Sequence, residues 1–368
     1  MAKAQKQIIA EALLDWYDRS HRELPWRVGP DDLAKGKQPD AYRVWLSEVM
    51  LQQTQVETVK PYFTKFLKLW PDVSSLAAAS QDDVMKAWAG LGYYSRARNL
   101  KKCAEIVATK LGGRFPNTSK ELMDLPGIGD YTAAAISAIA FNHVVPVIDG
   151  NVERVVSRLA AIATPLPKAK SEIKQIVAGS LSKDRPGDFA QAMMDLGATV
   201  CTPRNPACIV CPLREHCKVI RTGDPEHYPF KAPKRDKPLR RGAAFVAVRN
   251  DGAIYLRKRK EQGLLGGMTE VPTTNWTARI DGETGVSAAP FSASWVNIGS
   301  IRHVFTHFEL ELSVFRAETN DPVDELDGWW SSPSDLPEEA LPTVMKKAIE
   351  TAKSGATKRN KPARRQLA

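Results

Sequence analysis

Four cysteines in the middle of the chain are the strongest chemical signal in the sequence. Cys201, Cys208, Cys211 and Cys217 follow one another with the spacing C-x6-C-x2-C-x5-C. Thiolates this close in the chain can enclose one metal centre without ligands from distant segments. The residues alone leave two centres open, a tetrahedral zinc ion or an iron–sulfur cluster. Cys103 stands apart from this group and is predicted to be a small buried hydrophobic residue.

Glu48 is a candidate acid on a predicted helix. Its neighbours at helical spacing are Val44, Trp45, Leu51 and Gln52, and these are mostly apolar. A glutamate in this setting is partly desolvated, so it can retain a proton for general acid chemistry. Taken alone, the pattern favours an ordinary glutamate on a helix face, and only its wider context can favour catalysis.

Asp149 is a second candidate carboxylate. It follows the apolar run VVPVI and precedes the predicted helix GNVERVVSRL. Aspartate is among the preferred N-cap residues, so a structural capping role is the simpler interpretation. Capping and catalysis are compatible, and both interpretations remain open at this level.

The segment Leu125–Asp130 reads LPGIGD and runs into the predicted helix YTAAAISAIA. Gly127 and Gly129 allow the backbone to approach a ligand closely, and the start of the following helix offers free N–H groups. These features suit a phosphate-binding turn. A plain turn between two helices has the same local pattern and is not excluded by these residues alone.

The hydrophobic periodicity divides the chain into regions of different structure. Apolar residues recur every three or four positions from Lys6 to about Arg221, which predicts successive helices. Beyond a segment rich in proline and charge the period becomes two, and 243–257 is predicted to be a hairpin around Asn250-Asp251-Gly252. Residues 301–316 alternate again, and a last helix is predicted over Thr343–Lys353. We predict domains at 1–225 and 242–352, a basic linker at 226–241 and a basic disordered tail at 353–368.

Composition limits the class of protein. The formal net charge of +10 is concentrated in 231–241 and 353–368, so it favours polyanion contact without requiring it. No apolar stretch is long enough to span a membrane, and the first twenty residues lack a signal-peptide core. Clustered cysteines favour a reducing compartment over disulfides. We therefore expect a soluble intracellular protein.

The order of motifs along the chain resembles adenine DNA glycosylases of the MutY type, within the endonuclease III superfamily. The matching segments are RELPWR (22–27), SEVMLQQTQV (47–56), GLGYYSRARNL (90–100), LPGIGDYTAAAI (125–136), VIDGNVERV (147–155) and the cysteine loop. The resemblance implies a multi-domain protein. Its first domain would be an all-α helix-hairpin-helix glycosylase domain with one [4Fe–4S] cluster on the four cysteines.

The resemblance also implies roles for the two carboxylates. Glu48 protonates the leaving adenine at N7, and Asp149 stabilises the positive sugar that forms. Tyr131 and Asn151 support these carboxylates. Glycosidic cleavage independently requires an acid at the leaving group and a carboxylate near the cationic centre. The bond is inaccessible in stacked DNA, so the adenine must be flipped out.

Further residues match the family's contacts to DNA and to adenine. The implied DNA-binding residues in the first domain are Gln53, Leu91, Tyr93, Gly127 and Gly129. The residues that match the lining of the adenine pocket are Arg22, Trp26 and Asp195.

Tyr131 distinguishes this chain from its main rival. Endonuclease III resembles it over the same hairpin but has a lysine at the position of Tyr131. That lysine attacks the sugar and leads to strand cleavage, which a tyrosine cannot do. The residue therefore predicts a monofunctional glycosylase that uses water as the nucleophile.

The second domain resembles the α+β nudix-like domain of these glycosylases. Nudix hydrolases hold magnesium on a glutamate-rich helix, and 266–286 has no such cluster. We therefore predict a domain that reads the DNA and has no chemistry of its own. Phe305, Thr306 and His307 match the family's loop that senses 8-oxoguanine, although serine is usual where Thr306 stands.

The resemblance implies the biological setting as well. The expected substrate is double-stranded DNA with adenine opposite 8-oxoguanine or guanine. A monomer in the bacterial cytoplasm, associated with the nucleoid and with no membrane contact, is the expected form. A non-catalytic DNA-binding protein with a structural metal would explain the hairpin and the cysteines but would give Glu48 and Asp149 no function.

Overall fold

The computed structural model of the protein describes residues 3–221, 223–233, 236–261, 263–319 and 327–358. These residues form two compact units. The first lies within Met1–Ala78 and Asn99–Lys234, and the second lies within Ala79–Arg98 and Arg235–Ala368. The segment Ala79–Arg98 thus groups with the C-terminal part of the chain. The domain boundaries predicted from the sequence stay predictions.

Successive helices occupy the chain up to Thr199, as the periodicity of three and four predicts. Several of them begin at capping side chains, among them Asp40 before α3 and Thr118 before α8, which satisfy free N–H groups of the first turn. The helices are α1 (Lys3–Ser20), α2 (Pro30–Ala34), α3 (Ala41–Leu51), α4 (Val56–Leu69), α5 (Val73–Ala78), α6 (Gln81–Trp88), α7 (Ser95–Lys110), α8 (Ser119–Met123), α9 (Asp130–Phe141), α10 (Gly150–Ala160), α11 (Lys170–Ser180) and α12 (Pro186–Thr199).

Helix α12 lies at the centre of the first unit. It is buried from Pro186 to Gly197 and packs against α1, α9 and α10. A helix buried on all sides must satisfy any charge it contains, because an unpaired buried charge is very costly. The burial of α12 therefore makes Asp195 dependent on cationic partners from other elements.

The cysteine loop follows α12 as a series of short 3₁₀ turns at Cys208–Val210, Arg214–His216, Val219–Arg221 and Pro225–His227. The chain then returns to the helical unit, where the Leu166 N–H donates to the Phe230 carbonyl at 2.9 Å. Phe230, within the predicted linker 226–241, therefore belongs to the first unit. The first strand begins at Leu239, still within that predicted linker.

The second unit is built on a mixed sheet, and this α+β architecture confirms the predicted fold class. The sheet order is β3-β2-β1-β5-β4, with β6 beside β2, and β1 and β5 are parallel while the other pairs are antiparallel. Helix α13 (Thr343–Ala352) covers one face with Val344, Met345 and Ile349. The strands are β1 (Leu239–Val248), β2 (Ile254–Lys258), β3 (Thr269–Glu270), β4 (Val296–Val304), β5 (Glu309–Glu318) and β6 (Gly328–Ser331).

The two regions of alternating residues have different outcomes. The predicted hairpin in 243–257 is confirmed, since β1 and β2 pair with Val248 opposite Ile254 and Gly252 has a φ of 86° in the turn. Residues 301–316 belong to two antiparallel strands, β4 and β5. The turn between these strands contains Phe305–His307, and the Phe305 N–H donates to the Phe308 carbonyl at 2.8 Å.

The C-terminal end of the described chain folds back on α13. The Glu350 carboxylate accepts from the backbone N–H groups of Gly355 and Thr357, each at 2.7 Å. Of the predicted tail, 359–368 lies outside the described residues. Within the described residues, no helix combines the length and apolar character needed to cross a membrane.

Candidate active site

Glu48 lies on α3 with its side chain almost entirely removed from water. Only 6% of the residue is exposed, which agrees with the desolvation predicted from its apolar helical neighbours. The hydroxyl of Tyr131, at the start of α9, donates to Glu48 Oε2 at 2.7 Å. Helices α3 and α9 pack directly against each other and so fix this contact.

The electrostatic environment of Glu48 makes it a usable acid. Burial raises the pKa of its carboxyl to about 7, against the opposing hydrogen bond from Tyr131. The negative charge of Asp149 raises this pKa further and the positive charge of Arg27 lowers it. A carboxyl with a pKa near 7 is partly protonated at neutral pH, as a general acid must be.

Asp149 is held in one orientation by two donors. Its Oδ1 accepts from the backbone N–H of Val152 at 2.7 Å, which is the N-cap bond of α10. Its Oδ2 accepts from Asn151 Nδ2 at 2.8 Å. The capping interpretation is therefore confirmed, and this carboxylate also lines the same cavity as Glu48, while its catalytic role stays a prediction.

The Asn151 side chain is fixed by a hydrogen bond from Arg154. Arg154 Nη2 donates to Asn151 Oδ1 at 2.9 Å and to the Gly197 carbonyl at 2.6 Å, while its Nε donates to the Cys201 carbonyl at 2.8 Å. Helices α10 and α12 can approach this closely because a Cβ at Gly197 would lie 2.5 Å from Asn151 Cβ. The orientation of Asp149 therefore depends on the backbone of the cysteine loop.

Glu48 and Asp149 face a cavity of about 910 Å³ in the first unit. This volume lies within the usual range for sites that bind small molecules or single bases. The residues predicted from the sequence that line it are Arg22, Trp26, Glu48, Gln53, Gly127, Gly129, Tyr131, Asp149 and Asn151.

Asp195 is completely buried and does not itself line this cavity, but it is paired with two arginines that do. Its carboxylate accepts from Arg22 N at 2.9 Å, Arg22 Nε at 2.7 Å and Arg27 Nη1 at 2.7 Å. Burial by itself would raise the pKa of Asp195, but the charges of Arg27 and Arg22 hold it below the usual range. Trp26, between these arginines in the chain, packs edge-on against Phe63 with ring centroids 5.3 Å apart.

Arg27 and Gln191 are cavity residues that were not predicted from the sequence. Arg27 links the two acidic centres, because it bonds Asp195 and also acts electrostatically on Glu48. Its position at the end of RELPWR was the available signal. Gln191 is buried on α12 and lines the cavity, but nothing in its local sequence distinguished it.

The glycine turn before α9 has the backbone that its sequence requires. Gly127 has a φ of 79°, and a Cβ there would lie 2.7 Å from Asn99 Cβ. Gly129 occupies the N-cap position of α9, with open space where a Cβ would be. The first N–H groups of α9 therefore remain accessible to an anion from the cavity side.

Two of the predicted DNA-binding residues other than glycine have a left-handed backbone, which is uncommon outside glycine. Gln53 has a φ of 55° and Tyr93 a φ of 48°, and both are exposed. Leu91 is buried, so the described structure does not present it on the surface. Tyr93 belongs to the second unit, where its hydroxyl lies 3.2 Å from Thr306 Oγ1.

The turn between β4 and β5 presents two exposed polar side chains beside a cluster of aromatic side chains. Phe305 stacks on Phe308 with ring centroids 4.7 Å apart and packs edge-on against His303. Thr306 and His307, next to this aromatic cluster, are exposed. The structure therefore places the predicted sensor at a hairpin turn, where side chains can meet a ligand.

The four clustered cysteines surround a common cavity in the first unit. Among the described residues, no three Cys, His, Asp or Glu side chains converge as they would around a single metal ion. Four sulfurs around a shared space are the donor set of a [4Fe–4S] cluster, so these residues fit that group better than they fit zinc. A bound cluster cross-links the four cysteines and so holds the loop from Cys201 to Cys217 in one conformation.

Comparisons with known families agree with this geometry. Residues 46–180 match the HhH-GPD superfamily of base excision DNA repair proteins, 201–217 match the iron–sulfur binding domain of endonuclease III, and 243–351 match the NUDIX domain. The fold and site thus define a DNA glycosylase that hydrolyses N-glycosidic bonds, binds DNA and holds a [4Fe–4S] cluster.

Individual relatives show which family of DNA glycosylases this chain resembles. The chain is 36% identical to human adenine DNA glycosylase over 92% of its own length and 72% of the relative. It is 30% identical to the enzyme of that name from Buchnera aphidicola subsp. Schizaphis graminum, over 94% of this chain and 99% of the relative. The chain belongs to the adenine DNA glycosylase family, whose reaction in base excision repair is the excision of adenine.

Solved structures agree on the helical fold. A thermostable thymine-DNA glycosylase matches with a TM-score of 0.53 and 25% identity, over 60% of this chain and 98% of that one. Endonuclease III in a non-covalent complex with DNA matches with a TM-score of 0.50 and 21% identity over the same shares.

Proposed function

We propose that this enzyme excises adenine paired with 8-oxoguanine or guanine by hydrolysis, and leaves the DNA strand uncut. The observation that supports this most directly is the pair of carboxylates in one cavity. Glu48 is buried, partly protonated and bonded to Tyr131, whereas Asp149 has both oxygens engaged by donors. One group can protonate the leaving base while the other faces the cationic sugar.

The proposed hydrolysis does not proceed through a protein amine. Tyr131 occupies the position where the related lyases have lysine, and its hydroxyl is used to hold Glu48. No lysine lines the cavity in the described part of the chain. A water molecule is therefore the nucleophile in this proposal, and the abasic strand stays intact until another enzyme or alkali cleaves it.

The flipped adenine is proposed to lie against Trp26 and Arg22, and the buried Asp195 holds Arg22 in place through a hydrogen bond of 2.7 Å. An uncharged aromatic base is suited to an aromatic side chain beside arginine and amide donors. Gly127 and Gly129 are proposed to bind the DNA backbone through N–H groups. Gln53 and Tyr93 are each proposed to insert into the base stack, and the strained left-handed backbone of each supports a functional role.

The second unit is proposed to read the base opposite the adenine. In the described residues between β3 and β4 there is no α-helix that could present a magnesium-binding glutamate cluster. Glu270 is buried and its carboxylate is occupied by Arg257 and Arg259. Thr306 and His307 are exposed hydrogen-bonding groups, and Thr306 is already within reach of Tyr93. The monomeric state and the cytoplasmic location expected from the sequence remain predictions.

Replacing Thr306 and His307 with alanine together is expected to reduce discrimination between 8-oxoguanine and guanine. A hydrogen bond to the oxidised base is worth roughly 1–3 kcal/mol, so the ratio of the two excision rates should fall about tenfold to a hundredfold. Single-turnover rates on the two duplexes measure this ratio. In reactions that are not treated with alkali, the DNA strand that has lost adenine should remain uncut.

A matched variant separates this effect from general damage to the hairpin. Ser300→Ala removes an exposed hydroxyl from β4 and should leave the ratio unchanged. If the double variant discriminates as well as the wild type does, the sensor lies elsewhere and the second unit has another role.

The raised pKa of Glu48 predicts how excision depends on pH. The acid acts in its protonated form, so the single-turnover rate should be level below pH 7 and fall about tenfold per unit above it. Tyr131→Phe removes a hydrogen bond that lowers the pKa of Glu48, so it should move this break to higher pH. A break that stays in place in Tyr131→Phe would show that another group controls the profile.

A further inference from the structure

Arg158 on α10 is an arginine buried inside the first unit. Only 2% of the residue is exposed. Its guanidinium donates to the carbonyl oxygens of Thr202 at 2.7 Å, Pro203 at 3.1 Å and Tyr228 at 3.3 Å, and to that of Cys201 at 3.3 Å. Within the described residues, no carboxylate lies at ion-pair distance from it. A cation buried among carbonyl dipoles alone is an incomplete arrangement, because a buried charge normally has a counter-charge.

The guanidinium also contacts one of the four clustered cysteines, whose sulfur is a thiolate when the cluster is bound. Arg158 Nη1 lies 3.3 Å from Cys201 Sγ in a geometry that allows the guanidinium to donate to the sulfur. Arg158 also lines the cavity that all four cysteines surround. The fork of one side chain thus reaches both the backbone of the cysteine loop and the first sulfur.

The charge of the cluster explains what such a contact does. Four thiolates and a dicationic iron–sulfur core are together anionic, and the four cysteines that would carry this charge are partly buried. Hydrogen bonds to the sulfurs and the local net charge are among the factors that set the reduction potential of an iron–sulfur cluster. A fixed cation favours the more negative member of each one-electron couple, so it makes removal of an electron harder.

We propose that Arg158 is the buried counter-cation of the [4Fe–4S] cluster and raises its reduction potential, which protects the resting cluster from oxidation. Arg154, one helical turn earlier, contacts Cys201 at its carbonyl oxygen, in addition to Asn151 and Gly197. The two arginines of α10 therefore have separate roles. Arg154 orients Asn151, which in turn orients Asp149, and Arg158 acts on the sulfur of Cys201.

The experiment is voltammetry of the full-length, cluster-loaded protein, with iron content measured on each sample. Oxidation removes one electron from the cluster, and the electrode accepts it. In Arg158→Gln the potential should fall by at least about 59 mV, which is a tenfold change in the ratio of oxidised to reduced cluster for one electron. Arg158→Lys keeps the charge and should lie between this variant and the wild type. Bleaching of the visible absorption in air should be fastest in Arg158→Gln.

The control is Arg204→Gln, which removes an equal charge from an exposed position in the same loop and should leave the potential unchanged. A potential in Arg158→Gln equal to that of the wild type, at full iron content, overturns the proposal. If Arg158→Gln does not retain its cluster, the wild type and Arg158→Lys are compared after labelling with ¹⁵N-arginine. Pulsed electron paramagnetic resonance of the oxidised cluster should then detect an arginine nitrogen in the wild type that is lost in Arg158→Lys. The absence of that difference also overturns the proposal.

Discussion

Replacing Glu48 with glutamine should reduce adenine excision by about two to four decades, which is the usual contribution of a positioned general acid. Glutamine has nearly the same shape and can still accept the hydrogen bond from Tyr131 through its amide oxygen, but it cannot deliver a proton. Binding of a mismatched duplex should therefore remain close to that of the wild type. Single-turnover excision assays and gel-shift titrations measure the two quantities separately.

The matched control for this variant is Glu57→Gln on α4. Glu57 is exposed and forms a surface ion pair with Lys60, which contributes little to stability. This control should excise adenine at the wild-type rate. Excision by Glu48→Gln within about threefold of the wild type, at equal DNA binding, would show that the proton comes from another group.

Local patterns in the sequence were sufficient for features that depend on nearby residues. The burial of Glu48 followed from the apolar residues one helical turn away on α3. The hairpin of β1 and β2 followed from Asn-Asp-Gly, because glycine permits the positive φ that the turn requires. The cysteine loop could be predicted because its donors lie within one short segment.

Features that depend on distant residues could not be predicted in this way. Arg27 finds Asp195 only when α12 is packed in the core, 168 residues further along the chain. The parallel pairing of β1 with β5 joins segments about seventy residues apart, and no local pattern encodes its register. Alternation through 301–316 continued across the turn at Phe305–His307, so it indicated strands without revealing the break.

Arg154 and Arg158 show a different failure of sequence reasoning. On the amphipathic helix GNVERVVSRL, charged residues are expected to face solvent. Arg158 is instead buried, because the carbonyl groups of the cysteine loop and of Tyr228 replace water as its hydrogen-bond partners. The sequence shows the arginine, but it does not show which backbone carbonyl groups the tertiary fold brings within hydrogen-bonding distance of it.

Replacing Asp149 with serine should separate catalysis from capping at the start of α10. Serine retains an oxygen for the Val152 N–H, so the helix should keep its cap and the protein its stability. The negative charge that faces the cationic sugar is lost, and removal of one such electrostatic partner costs about 10²–10³ in rate. Excision should therefore fall by at least that factor, while thermal unfolding stays close to that of the wild type.

Two further variants complete the comparison. Asp149→Ala removes both charge and cap, so it should lose the same activity and also about 0.5–2 kcal/mol of stability. Thr118→Ala removes the cap of α8, where Thr118 Oγ1 accepts from Glu121 N at 3.3 Å, and should lose stability alone. If Asp149→Ser excises adenine as fast as the wild type, Asp149 is only a cap. In that case the positive sugar must be stabilised by another group of the cavity, which Asp130 also lines.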